Sequence, residues 1–457
     1  MTEKRGQWGS KFGFIMAAAG SAVGLGNVWR FPYLTGENGG AAFVLVYILC
    51  VVLVATPMLI NEIALGRLTG KNPVGAVQKL GGNKFWTGLV GVLPLVVTFV
   101  VLSYYSNIAG WTVGYIFTSL FSIKTSFVEF IANPVYVIPL CASVILMTAF
   151  IVLGGVSGGI EKATKILMPM LFVILIVVIF RSVTLPGAGK GVEYYLIPDF
   201  SKINGHVILA ALTQAFFSLG VGWGMMITYG SYLPKGQNIV TSSFWVSAMD
   251  TSVALLAGFM VFPAVFAFNQ QPDEGPTLVF NVLANIFQQM PLGNIAGALF
   301  FLLLFFAAIT STISMVEAPS AYFMDQKKWS RKKAAWTVSI AAFIFGIPSA
   351  LSKGAVESLS IMHINILGKM QTGFQNIFDY TFGSLLMMLV VLATCVYTGW
   401  FIKTEMLVDE IEQGMPSFKS GSILGIAPYK IWLFMIRFVC PIIIGLVILN
   451  MFGVFGE

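Results

Sequence analysis

Long apolar stretches separated by short polar segments dominate this sequence of 457 residues. A helix that crosses a membrane needs about 20 consecutive apolar residues. Eleven stretches come close to this length, and we number them spans 1 to 11 in chain order. They cover residues 11–36, 41–67, 88–121, 135–153, 163–181, 206–232, 240–268, 294–324, 333–350, 376–402 and 430–453. Span 9 is the weakest, because it is short and ends near Ile347-Pro348. The pattern predicts an all-α polytopic membrane protein.

Two of the spans have glycine-rich centres. Residues 21–27 interrupt span 1, and residues 218–224 interrupt span 6. Glycine in the interior of a helix weakens it. If spans 1–5 and 6–10 form two inverted five-helix repeats, the interruptions lie at corresponding positions, and paired broken helices predict a binding site near the middle of the membrane. The alternative is that these glycines only allow neighbouring helices to pack closely.

This repeat scheme predicts how the chain is divided and oriented. With the N-terminus in the cytoplasm, 18 Lys and Arg residues fall on the inner side and 6 on the outer side, as the positive-inside rule requires. A cleaved signal peptide is the alternative for the N-terminus, but the first apolar stretch continues through its glycine-rich centre. The predicted order is a cytoplasmic segment (1–10), the first repeat (11–182), an extracellular loop (183–204), the second repeat (205–402), a cytoplasmic loop (403–429) and the eleventh helix with the C-terminus (430–457).

Composition excludes several classes of protein. Hydrophobic residues make up 57% of the chain and charged residues 10%, against about 25% charged in ordinary soluble domains. The net charge of +7 therefore reflects cytoplasmic loops rather than a nucleic-acid surface. No GxxxxGK[ST] nucleotide-binding motif occurs, and no pairing of a nucleophile with a base indicates an enzyme. Transporters, channels and receptors remain, with the lipid bilayer as the surrounding partner and neither nucleic acid nor nucleotide expected.

The broken centres suggest a particular chemistry. Unwinding frees backbone N–H groups, which suit a carboxylate, and backbone carbonyls, which suit a small cation such as Na⁺. Oxygen-bearing side chains that could complete cation sites are Asn27, Ser218, Asp250, Thr310 and Ser311. The alternative for a lone Ser or Thr is a hydrogen bond back to its own helix.

Ionisable side chains inside spans are costly and therefore indicate function. Arg30 and Asp379 are predicted near the outer ends of spans 1 and 10, where they either pair across an entrance or extend to the interface. Glu62 and Glu317 are predicted to bond the N–H groups that the broken helices leave free. In span 5, Gly159 and Pro169 enclose about two turns near the cytoplasmic surface that can unwind as a hinge. The alternative there is a plain helix start with a proline kink.

Several motifs resemble the neurotransmitter:sodium symporter family. The longest is the run AGSAVGLGNVWRFPY at residues 19–33, followed by Glu37-Asn-Gly-Gly40. Others are EIALGR at 62–67, QAFFS at 214–218 and TYGSY at 228–232. The matches cover nearly the whole chain and are most similar to bacterial amino-acid members. The resemblance implies an inverted-repeat fold with Na⁺-driven alternating access and two bound Na⁺ ions.

Carried over residue by residue, the resemblance also implies site residues. The first sodium site would comprise Ala22, Asn27, Ser218 and Asp250, and the second Gly20, Val23, Ala307, Thr310 and Ser311. The substrate would contact Ser21, Ala22, Leu25, Gly26, Val101, Tyr105, Phe217, Gly220, Trp223, Ser311 and Met315. The outer gate would be Arg30 and Asp379. The inner gate would be Arg5, Trp8, Tyr232 and Asp325.

Departures from the family pattern refine these expectations. Asp250 replaces the usual Asn, and Ala254 stands one turn later where chloride-dependent members have Ser. We therefore expect the Asp250 carboxylate to replace chloride, so that no chloride is required. Gly24 replaces the Asp of amine transporters, so the substrate should bring its own carboxylate. Gly220 leaves room for a large side chain.

Together these observations predict a sodium-coupled symporter that imports hydrophobic L-amino acids, aromatic and branched aliphatic, across a bacterial cytoplasmic (inner) membrane. Two alternatives remain open. One is a proton-coupled carrier of the same fold, in which Asp250 or Glu317 carries the proton. The other is a channel or sensor that binds an amino acid without transporting it.

Overall fold

The computed structural model describes residues 6–123, 125–272 and 278–454, except for the side chains of residues 278 and 281. Nine helices within this part of the chain are long and apolar enough to cross a membrane. They are Ala41–Thr69, Lys84–Leu120, Pro134–Leu153, Val156–Val183, Ile239–Ala267, Gly293–Lys327, Arg331–Leu351, Phe374–Phe401 and Pro428–Met451. These helices correspond to spans 2–5 and 7–11, and they confirm the prediction of a polytopic helical protein.

Spans 1 and 6 are both broken, as their glycine-rich centres predict. Span 1 consists of Lys11–Ala22 and Gly26–Glu37, which meet at an angle of 50°. Span 6 consists of Gly205–Leu219 and the short helix Met225–Gly230. Its break begins and ends at Gly220 and Gly224, whose φ angles are +63° and +69°. Residues other than glycine rarely adopt this left-handed conformation, so the sequence itself terminates the helix here.

The described loops carry the remaining regular structure. A two-stranded antiparallel sheet, His363–Ile366 with Lys369–Thr372, lies between spans 9 and 10. Short helices occupy the other loops: Pro73–Lys79, Phe127–Ala132, Gly189–Leu196, Phe200–Lys202, Leu278–Leu283, Ala284–Gln289, Glu357–Ser360, Glu405–Glu412 and Ser417–Ser420.

Span 5 begins at Val156, seven residues earlier than the apolar pattern predicts. The extra turn includes Gly159, whose backbone lies against the end of span 4. A Cβ atom added at Gly159 would lie 2.0 Å from the carbonyl oxygen of Ile151. Close packing of two helices therefore requires glycine at this position.

Span 9 is helical from Arg331 to Leu351, so Pro348 lies inside the helix instead of ending it. Proline removes one intrahelical hydrogen bond, which a helix can tolerate near its end. The predicted weak span is thus a complete one.

A buried ion pair joins the end of span 2 to a loop helix. The Arg67 guanidinium at the end of span 2 lies 2.8 Å from the Glu410 carboxylate, which belongs to the loop helix Glu405–Glu412, and both side chains are buried. Lys235, after span 6, pairs with the same carboxylate at 2.5 Å. A buried charge of this kind is costly unless it is paired, so the contact fixes the loop helix against spans 2 and 6.

Candidate functional site

The breaks in spans 1 and 6 face each other across a small buried cavity. Its volume is about 20 Å³, which is roughly the space of one water molecule. Nine of the eleven residues predicted to contact substrate line it; Leu25 and Val101 do not, and Gly24 and Met225 are added. The lining residues are Ser21, Ala22, Gly24, Gly26, Tyr105, Phe217, Gly220, Trp223, Met225, Ser311 and Met315.

One end of the cavity is polar and suits an anion. The backbone N–H of Leu25 donates to the Tyr105 hydroxyl oxygen at 2.9 Å, beside the start of the second half of span 1. A Cβ atom at Gly24 would lie 2.7 Å from Ser311 Oγ and 2.8 Å from Tyr105 Oη. The site therefore has no room for a side chain at residue 24. This gives a steric reason for glycine at the position where amine transporters have Asp.

The other end is apolar and aromatic. The rings of Phe217 and Trp223 pack edge to face, with their centroids 5.5 Å apart. Trp223 is held in place because its indole N–H donates to Met387 Sδ at 2.9 Å and its carbonyl accepts from the Thr98 hydroxyl. These contacts give the apolar end a fixed aromatic wall.

Met225 is a lining residue that the sequence reasoning missed. Its Sδ atom accepts from the Ser314 hydroxyl at 3.1 Å, and Ser314 in turn accepts from Ser21 at 2.7 Å. The Cε atom of Met225 would lie 3.2 Å from a Cβ atom at Gly220. In the sequence, Met225 directly follows Gly224, the last glycine of the break, and this position could have identified it as a lining residue.

A first cluster of oxygen atoms lies beside the cavity. The Asn27 Nδ2 group donates to Ser218 Oγ at 2.9 Å and to Asp250 Oδ1 at 2.7 Å. Ser218 also donates to Asp250 Oδ2 at 2.7 Å and accepts from the Tyr47 hydroxyl at 3.3 Å. All four side chains are buried. Carboxylate and hydroxyl oxygens are ligands that hard cations prefer, so the Asp250 and Ser218 oxygens fit Na⁺. The Asn27 amide faces them with its nitrogen, because its oxygen accepts from the Gly24 N–H at 3.0 Å.

A second cluster joins spans 1 and 8. Ser311 Oγ lies 3.4 Å from the carbonyl oxygen of Val23 and 3.3 Å from that of Ala307. Thr310 Oγ1 lies 3.0 Å from the Ala307 carbonyl oxygen. A Cβ atom added at Gly20 would lie 3.2 Å from Thr310 Cβ, so glycine lets the two spans approach. Both hydroxyls bond back to their own helix, yet Ser311 also reaches span 1, and these uncharged oxygens fit Na⁺ as well.

The described residues offer little to a transition metal. Among them, no group of three or more His, Cys, Asp or Glu side chains is placed to hold a metal ion. Soft or imidazole ligands select zinc, copper and iron, whereas oxygen ligands suit hard cations. The ligands in the two clusters are oxygen atoms, so their chemistry suits a hard cation.

The two acidic residues beside the breaks have different partners. Glu62 Oε1 accepts from the backbone N–H of Gly222 at 2.7 Å, which confirms the predicted bond to a broken helix. Glu317 instead accepts from the Tyr232 hydroxyl at 2.7 Å and pairs with Arg331 at 2.7 Å. The prediction for Glu317 was wrong, because Arg331 at the start of span 9 packs against it.

Phe217 lies between the cavity and Arg30. The guanidinium carbon of Arg30 lies 4.5 Å from the centre of the Phe217 ring. Asp379 accepts from the Tyr104 hydroxyl at 2.8 Å. Among the ion pairs of the described residues, none joins Arg30 to Asp379 within 4.0 Å. The predicted outer-gate residues are thus linked to aromatic side chains rather than directly to each other.

The N-terminal segment is fastened to the helix bundle. Trp8 donates its indole N–H to the Tyr229 carbonyl at 2.9 Å and its backbone N–H to the Tyr232 carbonyl at 3.3 Å. Asp325 accepts from the Asn72 side chain at 2.8 Å and from its backbone N–H at 3.0 Å. Three of the predicted inner-gate residues therefore lie in bonded positions, and the fourth, Arg5, lies outside the described residues.

A further contact of the N-terminal segment, missed by sequence reasoning, involves Glu161 at the start of span 5. Its carboxylate accepts from the Gly9 backbone N–H at 2.7 Å and from the Ser10 hydroxyl at 2.9 Å. The segment proposed to unwind, from Gly159 to Pro169, is helical here. The hinge stays a prediction, and the N-terminal segment lies directly on it.

Comparisons with known proteins agree with this architecture. A sequence model described as the sodium:neurotransmitter symporter family matches residues 5–126 and 123–455. An uncharacterised sodium-dependent transporter of Bacillus subtilis is 39% identical, with 99% of each chain covered. One of Haemophilus influenzae is 33% identical, with 98% of each chain covered. The crystal structure of MhsT in complex with L-phenylalanine is similar at a TM-score of 0.87 and 40% identity, covering 98% of this chain and 100% of that one.

Proposed function

This chain belongs to the sodium:neurotransmitter symporter family and is a sodium-dependent transporter, and from that premise we propose that it imports hydrophobic L-amino acids by alternating access. The observation that carries the proposal is the division of the cavity into a polar end at Tyr105 and Ser311, beside the Leu25 amide, and an aromatic end at Phe217 and Trp223. No charged residue is among the described residues that line it. MhsT, the similar structure, contains L-phenylalanine.

Each end of the substrate has a proposed partner. The carboxylate meets the amides of Leu25 and Gly26 and the Tyr105 hydroxyl, since backbone N–H groups at a half-helix start attract anions. The amine meets backbone carbonyls near Ala22 and Phe217, at the breaks in spans 1 and 6. The side chain lies against the aromatic wall. Because the cavity now holds about 20 Å³, Phe217 and Met225 move outward when an amino acid enters, while Trp223 stays in place.

Two sodium ions are proposed, one in each oxygen cluster. The first site comprises Ala22, Asn27, Ser218 and Asp250, and the second Gly20, Val23, Ala307, Thr310 and Ser311. When bound, the ions hold the broken parts of spans 1 and 6 against spans 7 and 8. The Na⁺ gradient across the membrane supplies the energy for uptake. The Asp250 carboxylate provides the negative charge of the first site, so we propose that transport does not require chloride.

The gates follow from the contacts on each side of the cavity. Phe217, with Arg30 stacked on it, covers the outer side, and Asp379 joins this gate when the outer entrance closes. Trp8, Tyr232 and Asp325 close the inner side, together with Arg5. We place the protein in a bacterial cytoplasmic membrane with its N-terminus inside, as the distribution of Lys and Arg supports.

Uptake into proteoliposomes tests the function. Labelled phenylalanine, tryptophan, leucine and valine should accumulate with an inward Na⁺ gradient and not when choline replaces Na⁺ at fixed pH. Phenethylamine, which lacks a carboxylate, should not compete. Accumulation driven by a proton gradient in choline would favour the proton-coupled carrier, and binding without counterflow of labelled substrate would favour a sensor.

Gly220 is expected to set the size of the substrate side chain. In Gly220→Ala, the added methyl group lies 3.2 Å from Met225 Cε and displaces it into the cavity. Phenylalanine and tryptophan should lose about 10-fold in affinity relative to valine, the effect of about one methylene in an apolar pocket. Competition binding measures the ratio.

The positive φ of Gly220 also strains any substituted side chain, so a control must separate strain from size. The double variant Gly220→Ala/Met225→Ala keeps the strain but removes the steric contact, and it should restore the preference for aromatic substrates. Equal losses for all substrates in both variants would contradict a role for Gly220 in size selection.

The hinge in span 5 predicts a kinetic effect. Pro169→Ala restores a backbone N–H and should stiffen the segment, slowing transport while substrate affinity in Na⁺ stays nearly unchanged. Pro139→Ala, a proline inside span 4, is the matched control and should not slow transport. Hydrogen exchange at residues 159–168 should be faster without Na⁺ in the wild type. Slow exchange that does not respond to Na⁺ would identify Pro169 as a static kink.

A further inference from the structure

The membrane-facing side of span 9 carries a shallow groove at its cytoplasmic half. Its floor contains Trp336, Ile340 and Ile344, and its head contains Ser330, Lys332 and Lys333. The floor residues repeat every four positions, so they form one stripe along the helix. This groove shares no lining residue with the substrate cavity, and the transport mechanism does not use it.

The floor has the polarity and length of a lipid chain in one leaflet. Ile340 and Ile344 are 53% and 56% exposed, and Trp336 is fixed by an edge-to-face contact with Phe150 at 5.7 Å. From Lys333 to Ile344 the helix rises about 16 Å at 1.5 Å per residue. Half of the hydrocarbon core of a bilayer is about 15 Å thick. An extended acyl chain therefore fits the stripe from end to end.

The head of the groove is basic and available to a ligand. The Lys333 ammonium lies 4.4 Å above the Trp329 ring, and Trp329 stacks on Phe323 at 4.6 Å, so this cation is held in position. Lys332 is exposed. Among the described residues, no carboxylate pairs with either lysine within 4.0 Å.

Arg331 does not take part in this head, because it turns inward to Glu317 at 2.7 Å. In addition to Lys332 and Lys333, the start of the span 9 helix attracts an anion. Span 9 begins at Arg331, and the N-terminal end of a helix carries partial positive charge. The two lysines and the helix start therefore face the same region, at the level where the apolar stripe ends.

We propose that this groove is a binding site for one anionic phospholipid of the cytoplasmic leaflet. The phosphate lies between Lys332 and Lys333, and one acyl chain lies along Trp336, Ile340 and Ile344. Charge complementarity selects an anionic headgroup, and the apolar stripe selects a lipid over free phosphate. The orientation follows from the Lys- and Arg-rich loop between spans 8 and 9, which the positive-inside rule assigns to the cytoplasm.

Native mass spectrometry of the full-length protein, with phosphatidylglycerol or phosphatidylcholine added at equal concentrations, tests the site. The wild type should retain one phosphatidylglycerol molecule more tightly than phosphatidylcholine. Lys332→Gln/Lys333→Gln should weaken phosphatidylglycerol binding about 30-fold, as expected for two basic residues at a membrane surface. Lys327→Gln/Lys328→Gln removes the same charge from exposed positions outside the groove and should have no effect. Equal losses in both double variants would overturn the proposal.

A second arm distinguishes a lipid site from a phosphate site. Ile340→Ala/Ile344→Ala should weaken retention of phosphatidylglycerol, and millimolar inorganic phosphate should not displace the lipid from the wild type. Displacement by phosphate, or equal retention of the two lipids, would overturn the proposal. Na⁺-dependent substrate binding should persist in every variant, which shows that each one folds and separates this test from that of the transport function.

Discussion

Replacing Thr310 and Ser311 together by alanine is expected to reduce concentrative uptake at least about 100-fold. Both hydroxyls belong to the second oxygen cluster, where Ser311 Oγ bridges the carbonyls of Val23 and Ala307 at 3.4 and 3.3 Å. Altering a group one shell removed from a metal costs about 10–100-fold in affinity, so removing two direct ligands should cost more. Initial uptake rates at varied Na⁺ concentration measure the loss.

The adjacent Thr312 offers a matched control for this experiment. It is also buried in span 8, but its hydroxyl contacts Thr148 of span 4 at 2.7 Å instead of span 1. Thr312→Ala removes one buried hydroxyl from the same helix and should leave the Na⁺ dependence intact. If the double variant at Thr310 and Ser311 retained the Na⁺ dependence of the wild type, the second sodium site would be misassigned.

Asp250→Asn is expected to weaken Na⁺ binding about 10- to 100-fold, or to make transport respond to chloride. The Asp250 carboxylate lies 2.7 Å from Asn27 Nδ2 and from Ser218 Oγ, so it is part of the first oxygen cluster. A unit charge at 4 Å contributes about 4 kcal/mol at an effective dielectric constant of 20, and the cost of burying the charge offsets part of this. Na⁺ titrations of substrate binding with chloride or gluconate measure both effects.

A second-site substitution sharpens this experiment. Ala254 is buried one turn after Asp250 on span 7, so Ala254→Glu should restore Na⁺ affinity and chloride independence to Asp250→Asn. Ser247→Ala, which removes a hydroxyl bonded to Thr56 at 2.9 Å, is the neutral control. A chloride requirement in the wild type would exclude Asp250 as the replacement charge.

The two predictions are linked through the break in span 1. Val23 contacts the second cluster, Leu25 the polar end of the cavity and Asn27 the first cluster. Five consecutive residues thus connect both proposed ions and the substrate. Ordering this short segment for one ligand lowers the entropy cost of binding the next, which gives a physical basis for coupling without a long pathway.

The sequence alone determined the membrane architecture and its two interruptions. Apolar length decides whether a helix crosses a bilayer, and this property is local to each segment. The break in span 6 was also encoded locally, because the backbone at Gly220 and Gly224 adopts a conformation that disfavours other residues. The family resemblance implied eleven residues that contact the substrate, and nine of them line the cavity.

The tertiary structure decided what those local signals could not carry. Glu317 pairs with Arg331. Arg67 pairs with Glu410, although 343 positions separate the two residues in the sequence. No pattern of apolar residues or glycines specifies such partners. Met225 lines the cavity because the second helix of span 6 begins at this residue, directly after the left-handed backbone conformation of Gly224. Which side chains meet depends on the rotation and spacing of packed helices, and these are properties of the assembled bundle rather than of any one segment.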